Sequence, residues 1–126
     1  MKEVMAVIRM NMMGKTKDAL AEQGVVSMHA LSCIGRGKGL VNLTLLEGAE
    51  KGYEEAITQL GLGGKLIPKR LISVIVPDKL VKKTVDTLIR VNQTGKSGDG
   101  KIFVLPVSES IRIRTGEKGQ VTLDGA

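Results

Sequence analysis

The sequence predicts an α+β fold, a ferredoxin-like split βαβ sandwich closed into a ring-like oligomer, on three observations. Short β-rich apolar runs recur along the chain. Two amphipathic stretches at helical spacing lie between them, one in each half. The order that results is β-α-β, a long excursion, then β-α-β and a short final strand, which builds one antiparallel sheet with both helices on the same face. The other face stays apolar, and 126 residues supply no third layer to cover it, hence the expectation of an oligomer.

Each element has its own warrant. Glu3 to Arg9 (EVMAVIR) is short and apolar enough for a buried strand. Gly14 and Thr16 open a helical stretch in which Ala19, Leu20 and Gln23 keep helical spacing, and Gly24 is a natural stop. Val25 to Ile34 is a second strand, with Met28, Ala30, Ser32 and Ile34 on one face and His29, Leu31 and Cys33 on the other. Ala49, Tyr53, Ala56 and Leu60 form an apolar stripe in a marginal helix weakened by Gly48 and Gly52, within a stretch long enough to suggest a functional loop. Lys69 to Val76 is a third strand stopped by Pro77. Asp78 then caps a helix whose apolar face is Leu80, Val81, Thr84, Val85, Leu88 and Ile89. Lys101 to Val107 is a fourth strand, Ile111 to Arg114 a short fifth, and the polar tail from Thr115 is expected to be mobile.

Composition narrows the function. The length suits one domain, residues 1–126. Apolar residues at 42% and charged residues at 25% argue against disorder. A net charge of +6 favours anionic partners. Phe103 and Tyr53 are the only aromatic residues, so a protein that reads nucleic acid by stacking bases is not expected. One cysteine, Cys33, excludes an internal disulfide and a multi-cysteine zinc site, and it fits a reducing compartment. One histidine, His29, excludes paired-histidine metal chemistry, and no metal site is expected. No run approaches the roughly 18 apolar residues of a membrane span. The N-terminal apolar stretch, broken by Arg9 and Asn11, lacks the form of a signal peptide. A cytoplasmic location follows as an expectation. No catalytic trio is evident, so an enzyme is not expected and catalytic residues are none.

Three basic, Gly-bracketed elements point to phosphate. Gly35-Arg36-Gly37-Lys38-Gly39 allows close approach of backbone N–H groups to an oxyanion and adds two cations, although it lacks the rest of a Walker A loop; a flexible basic turn accounts for it as well. Thr94 to Lys101 (TGKSGDGK) repeats the offer at the start of a strand. Arg112 and Arg114, two apart on the short strand, would clamp a polyphosphate from one face; a charged edge strand is the plainer reading. His29 and Cys33 share a strand face and read as structural or pocket-lining, and the six methionines as core filler.

TGKSGDGKIFVLPV at 94–107 with IRIRTGE at 111–117 resembles the C-terminal motif of the PII nitrogen-regulatory family. The likeness extends through ALAEQG at 19–24, GRGKG at 35–39, EGAE at 47–50, IPK at 67–69 and VPD at 76–78. The resemblance implies a trimer of ferredoxin-like subunits that binds ATP or ADP between subunits, and 2-oxoglutarate with Mg-ATP. A long T-loop, here residues 38–66, would then engage or release a target. The matching nucleotide positions are Met28, His29, Gly35, Gly37, Lys38, Gly98, Asp99, Gly100, Lys101, Arg112 and Arg114. Gly37, Gly39 and Lys69 match the 2-oxoglutarate positions, with Gly39 where the family has the glutamine that chelates Mg. Lys51 replaces the tyrosine that is uridylylated in enteric members, so that modification is not expected. The loop is longer than usual and presents Glu47, Tyr53, Ile57 and Leu60 for docking. In this it resembles the NifI-type PII proteins of nitrogen-fixing methanogens, which implies nitrogenase as target and either a homotrimer or a hetero-oligomer with a sister subunit. The alternatives are a conventional PII regulator of an ammonium transporter or glutamine synthetase, and a basic nucleic-acid-binding module.

Overall fold

The computed structural model describes residues 1–37 and 66–125. The marginal helix at 47–60, the docking positions Glu47, Tyr53, Ile57 and Leu60, and the ligand positions Lys38 and Gly39 lie outside them. Among the described residues the main elements are β1 (Lys2–Arg9), α1 (Met13–Glu22), β2 (His29–Gly35), β3 (Ile67–Val76), α2 (Asp78–Asn92) and β4 (Lys101–Pro106). The strands form one antiparallel sheet in the order β2-β3-β1-β4, so the first and last halves of the chain interleave.

Alternation along β1 sets the two faces. Val4, Ala6 and Ile8 are buried with Ile72, Val74 and Val76 of β3, under Leu20 and Leu88 of the helices. Register places Val4 between Val74 and Val104, and Ala6 between Ile72 and Ile102. The opposite face carries Met5 between Ser73 and Phe103, and Val7 between Leu71 and Lys101. Leu31, Phe103 and Leu105 on that face are exposed. The expected apolar open face is therefore present on the protomer.

Helix α1 ends as expected. Gly24 takes a φ of 86°, Val25 N–H donates to Leu20 O and Gly24 N–H to Ala21 O, each at 3.0 Å, which is a Schellman closure. Helix α2 differs from expectation in two respects. Pro77 holds the N-cap position and Asp78 is the first helical residue, with no side-chain cap. The Asp78 carboxylate turns instead to the Met1 amine at 3.1 Å and the Lys2 ammonium at 3.7 Å, because β1 starts beside the end of β3, and a cation outcompetes a neutral N–H for it. Ile89 is 43% exposed rather than packed inside. Thr87 and Asn92 are buried in its stead, and Asn92 Nδ2 donates to Thr16 Oγ1 at 3.1 Å across the two helices.

Two boundaries also shift. Strand β2 begins at His29, not Val25: Val25 is buried in the core, and the N–H groups of Val26 and Ser27 donate to the Asp124 carboxylate at 3.3 and 2.6 Å. The fifth strand at 111–114 is not formed. Ile111 makes one isolated bridge to Lys118, while Arg112 N–H donates to Glu117 O and Gly116 N–H to Arg112 O, so the segment is a tight return. The I-R-I-R alternation matched a strand period, but Gly116 and Gly119, with φ of 74° and 87°, turn the chain back before a strand can extend. The tail is correspondingly held rather than loose. Gly119 N–H donates to Ser110 O at 2.9 Å, the Ser110 and Thr122 hydroxyls meet, and Asp124 fastens the tail to the start of β2.

Candidate functional site

The 93–100 loop is the best-organised part of the site. Strand pairing brings it to the C-terminal end of β1, since β4 runs antiparallel to β1 with Lys101 opposite Val7. Gly100 has a φ of 108°, and a Cβ there would lie 1.8 Å from Val7 O. Only glycine satisfies both the backbone and the space. Asp99 organises the rest. Its carboxylate accepts from Thr94 N–H at 2.8 Å, Gly95 N–H at 2.9 Å, the Thr94 hydroxyl, and Arg9 Nη1 at 2.6 Å. The Thr94 donors, then the Arg9 guanidinium, hold this carboxyl far below the ordinary carboxylate range. Asp99 is thus ionised and occupied within the loop.

Two more bonds fasten the loop from below. Arg9 Nη2 donates to Ser97 O and Lys69 Nζ to Gly98 O, both at 3.0 Å. The sequence singled out Lys69, whereas Arg9 was read only as an interruption of an apolar run. Its role depends on β1 lying beside β4 and on the loop folding back, and no local pattern signals either.

Two clefts share Lys69 and Gly98 in their lining. A smaller one of about 350 Å³ is lined by Val7, Gly35, Gly37, Gly98, Gly100 and Lys101. A larger one of about 680 Å³ is lined by Arg9, Asn11, Gly37, Arg70, Ser97 and Gly98. Lys69 borders both. The structure therefore gathers Gly35, Gly37, Lys69, Gly98, Gly100 and Lys101 at one end of the sheet. Asp99 lies with them in the loop, whereas Met28, His29, Arg112 and Arg114 are not brought there. His29 pairs with Ser73 at the opposite end of β2 from Gly35, six residues or roughly 20 Å along the strand, and Met28 precedes it. Arg112 lies beyond the far end of β4 and pairs with Glu117 at 2.7 Å; the Thr115 hydroxyl, then this ion pair, holds the Glu117 carboxyl below its usual range. Arg114 is exposed in the same return, so the two arginines do not share a strand face.

The arrangement defines a class: a ferredoxin-like domain with a basic, glycine-lined cleft at one end of its sheet. The comparisons with known proteins go further. The family model for "Nitrogen regulatory protein P-II" matches residues 1–117, and the chain belongs to that family. It is 45% identical over 127 residues to "Nitrogen fixation nifHD region GlnB-like protein 2" of Methanothermococcus thermolithotrophicus, covering 98% of each chain. It is 44% identical over 128 residues to the nifHD1-region protein of the same type from Methanosarcina barkeri, covering 98% of this chain and 99% of the relative. Nitrogen regulatory protein P-II 1 of Escherichia coli is 38% identical over 123 residues, with 98% and 100% covered. Among solved structures, Arabidopsis thaliana PII bound to citrate superposes with a TM-score of 0.70 at 28% identity, covering 95% of this chain and 86% of that one. The chain is a PII-family signal-transduction protein of nitrogen metabolism, and the family and ferredoxin-like fold expected from the residues are both found. Among the described residues no helix is long and apolar enough to cross a membrane.

Proposed function

We propose that this chain is a non-enzymatic cytoplasmic sensor that binds ATP or ADP together with 2-oxoglutarate and controls nitrogenase through the 38–66 loop. The observation that carries the reading is the convergence of Gly37, Lys69, Gly98, Gly100 and Lys101 on one pair of adjoining clefts. Backbone N–H groups freed by glycine, with an ammonium beside them, match the oxygens of a polyphosphate. Lys101 and Lys38 meet the phosphates, and Lys69, with Gly37 and Gly39, meets a carboxylate of 2-oxoglutarate. Asp99 is already spent on Thr94, Gly95 and Arg9, so Mg would be carried on the phosphate oxygens.

The remaining half of the site comes from a neighbour. Met28, His29, Arg112 and Arg114 sit away from the clefts in one protomer, and the apolar face bearing Met5, Leu71 and Phe103 is open to a second copy or a sister subunit. A trimeric ring that buries these faces would bring one protomer's arginines toward the next one's glycine loop. The partner assignment is supported by the nifHD-region names of the relatives from Methanothermococcus and Methanosarcina.

Isothermal titration of the full chain with Mg-ATP, with and without 2-oxoglutarate, tests the sensor. Saturable binding strengthened by the second ligand is expected, and no heat from either ligand refutes it. Co-purification with nitrogenase that disappears on adding both ligands tests the target. Nitrogenase that never co-elutes refutes that assignment.

A further inference from the structure

We propose that Arg9 is the positioning residue that keeps the 97–99 backbone turned toward the nucleotide when Lys69 is drawn away by the effector. This rests on the two-ligand reading above and adds to it a residue and a hand-over between two cations.

The geometry is that of two successive carbonyls held from below. A trans peptide points its C=O and its following N–H in opposite directions. With Ser97 O on Arg9 Nη2, the N–H of Gly98 points the other way; with Gly98 O on Lys69 Nζ, so does the N–H of Asp99. The two basic side chains thus set the direction of two neighbouring N–H groups without touching the ligand those groups would meet. Gly98 sits directly over the guanidinium: its φ is 97°, and a Cβ there would be 3.2 Å from Arg9 Nη2.

The two anchors differ in how firmly they hold. Lys69 bonds through Nζ to one neutral carbonyl, and the residue lines both clefts. A carboxylate entering the larger cleft is the stronger acceptor, and the ammonium follows it. Arg9 is committed through both terminal nitrogens, to the ionised Asp99 at 2.6 Å and to Ser97 O at 3.0 Å. A planar fork shared between two partners gives up neither easily. With the effector bound, Arg9 still ties the 97–99 backbone to the sheet through Ser97 O and Asp99. Without Arg9, the effector would free the Ser97 and Gly98 carbonyls from the sheet, and the favourable coupling between the ligands would be lost. Coupling requires exactly such a difference in how each ligand meets the two states.

The test is titration of full-length wild type, Arg9→Met, Arg9→Gln and Arg9→Lys with Mg-ATP, each alone and with saturating 2-oxoglutarate. Both neutral variants are expected to lose up to about tenfold in ATP affinity without effector, because Lys69 and Thr94 still hold the loop. The enhancement of ATP affinity by 2-oxoglutarate is expected to fall to about onefold in them, and Arg9→Lys to restore part of it. Wild-type coupling in either neutral variant overturns the proposal. So does an equal loss of ATP affinity with and without effector in a folded variant, which would mark Arg9 as a general strut. If Arg9→Met does not fold, Arg9→Gln carries the same decision. A wild type that binds no ATP rejects the sensor reading and this proposal with it, whereas normal wild-type coupling beside indifferent variants rejects only the role of Arg9.

Discussion

Gly100→Ala is the substitution whose consequence the structure specifies most closely. Two penalties add at this position. A side chain at φ 108° is strained wherever it is placed. Strain of that kind costs on the order of 1–3 kcal/mol. The new methyl would also stand 1.8 Å from Val7 O, which is backbone and cannot rotate aside. Relief requires the loop to retreat from β1 by more than an ångström, at the pair where Val7 faces Lys101. The natural control is Gly95→Ala. Its φ is 82°, yet nothing lies within 4 Å of the added carbon, so it bears the strain without the collision. For a domain of this size each kcal/mol moves the melting temperature by about 3–6 °C. Gly95→Ala is therefore expected to lower Tm by roughly 5–10 °C, and Gly100→Ala by at least about 10 °C more. Because Lys101 follows the displaced residue, Gly100→Ala is also expected to lose most of its ATP affinity, with Gly95→Ala retaining more. Calorimetric melting at matched protein concentration and titration with Mg-ATP read both. Equal melting points for the two variants, with ATP affinity intact in Gly100→Ala, would refute the packing of the loop against β1.

Lys101→Ala combined with Arg114→Ala removes one charge from each proposed half of the site, and ATP affinity is expected to fall by several kcal/mol in calorimetry, at about 1.5–3 kcal/mol per charge-assisted bond; unaltered affinity would dissociate phosphate from these residues. Deleting residues 51–61 is expected to preserve ATP binding and abolish co-purification with nitrogenase, and a deletion that still retains its partner contradicts the docking role. Asp99 is stabilised as the carboxylate by the fold, its pKa lying below the usual 3.8, so its contribution to stability is complete above that value and is lost as pH falls below it. Acid melting of wild type is thus expected to steepen below pH 3.8 relative to Asp99→Asn, and parallel acid profiles would show that the loop does not depend on this charge. Asp124→Ala frees the N–H groups of Val26 and Ser27 and is expected to cost about 1 kcal/mol of stability and to raise hydrogen exchange at residues 25–29; unchanged exchange there would mean the tail does not fix the start of β2.

What could be read in advance was whatever lies within one element. The alternation of Val4, Ala6 and Ile8, the Gly24 stop and the break at Pro77 are local, and each is where the sequence put it. The glycines of 94–101 announced a loop with backbone to offer. What escaped depends on contacts between distant segments. Arg9 acquires its meaning from Asp99, ninety positions away, and Asp124 from Ser27. The I-R-I-R segment misled because strand periodicity was intact over four residues while the decisive glycines stood just after them. Its arginines consequently face their surroundings from a turn, and one of them is spent on Glu117.

The division of the site has an energetic consequence of its own. If phosphate is met by the glycine loop of one protomer and by Arg112 and Arg114 of another, nucleotide binds an assembled seam and not a lone subunit. Any ligand that favours one state over another stabilises it in proportion to its saturation, and under the proposed division that state would be the assembled ring. The apolar faces alone would hold protomers together at any nucleotide level. The Arg112–Glu117 pair opposes recruitment of Arg112, since one carboxylate must be given up for a phosphate. A doubly charged oxygen cluster wins that exchange where a single carboxylate does not. Glu117→Gln removes the competitor, so ATP affinity is expected to rise while subunit exchange between differently tagged rings slows at sub-saturating nucleotide. Exchange that stays insensitive to both nucleotide and Glu117 would show that each protomer binds its ligand unaided.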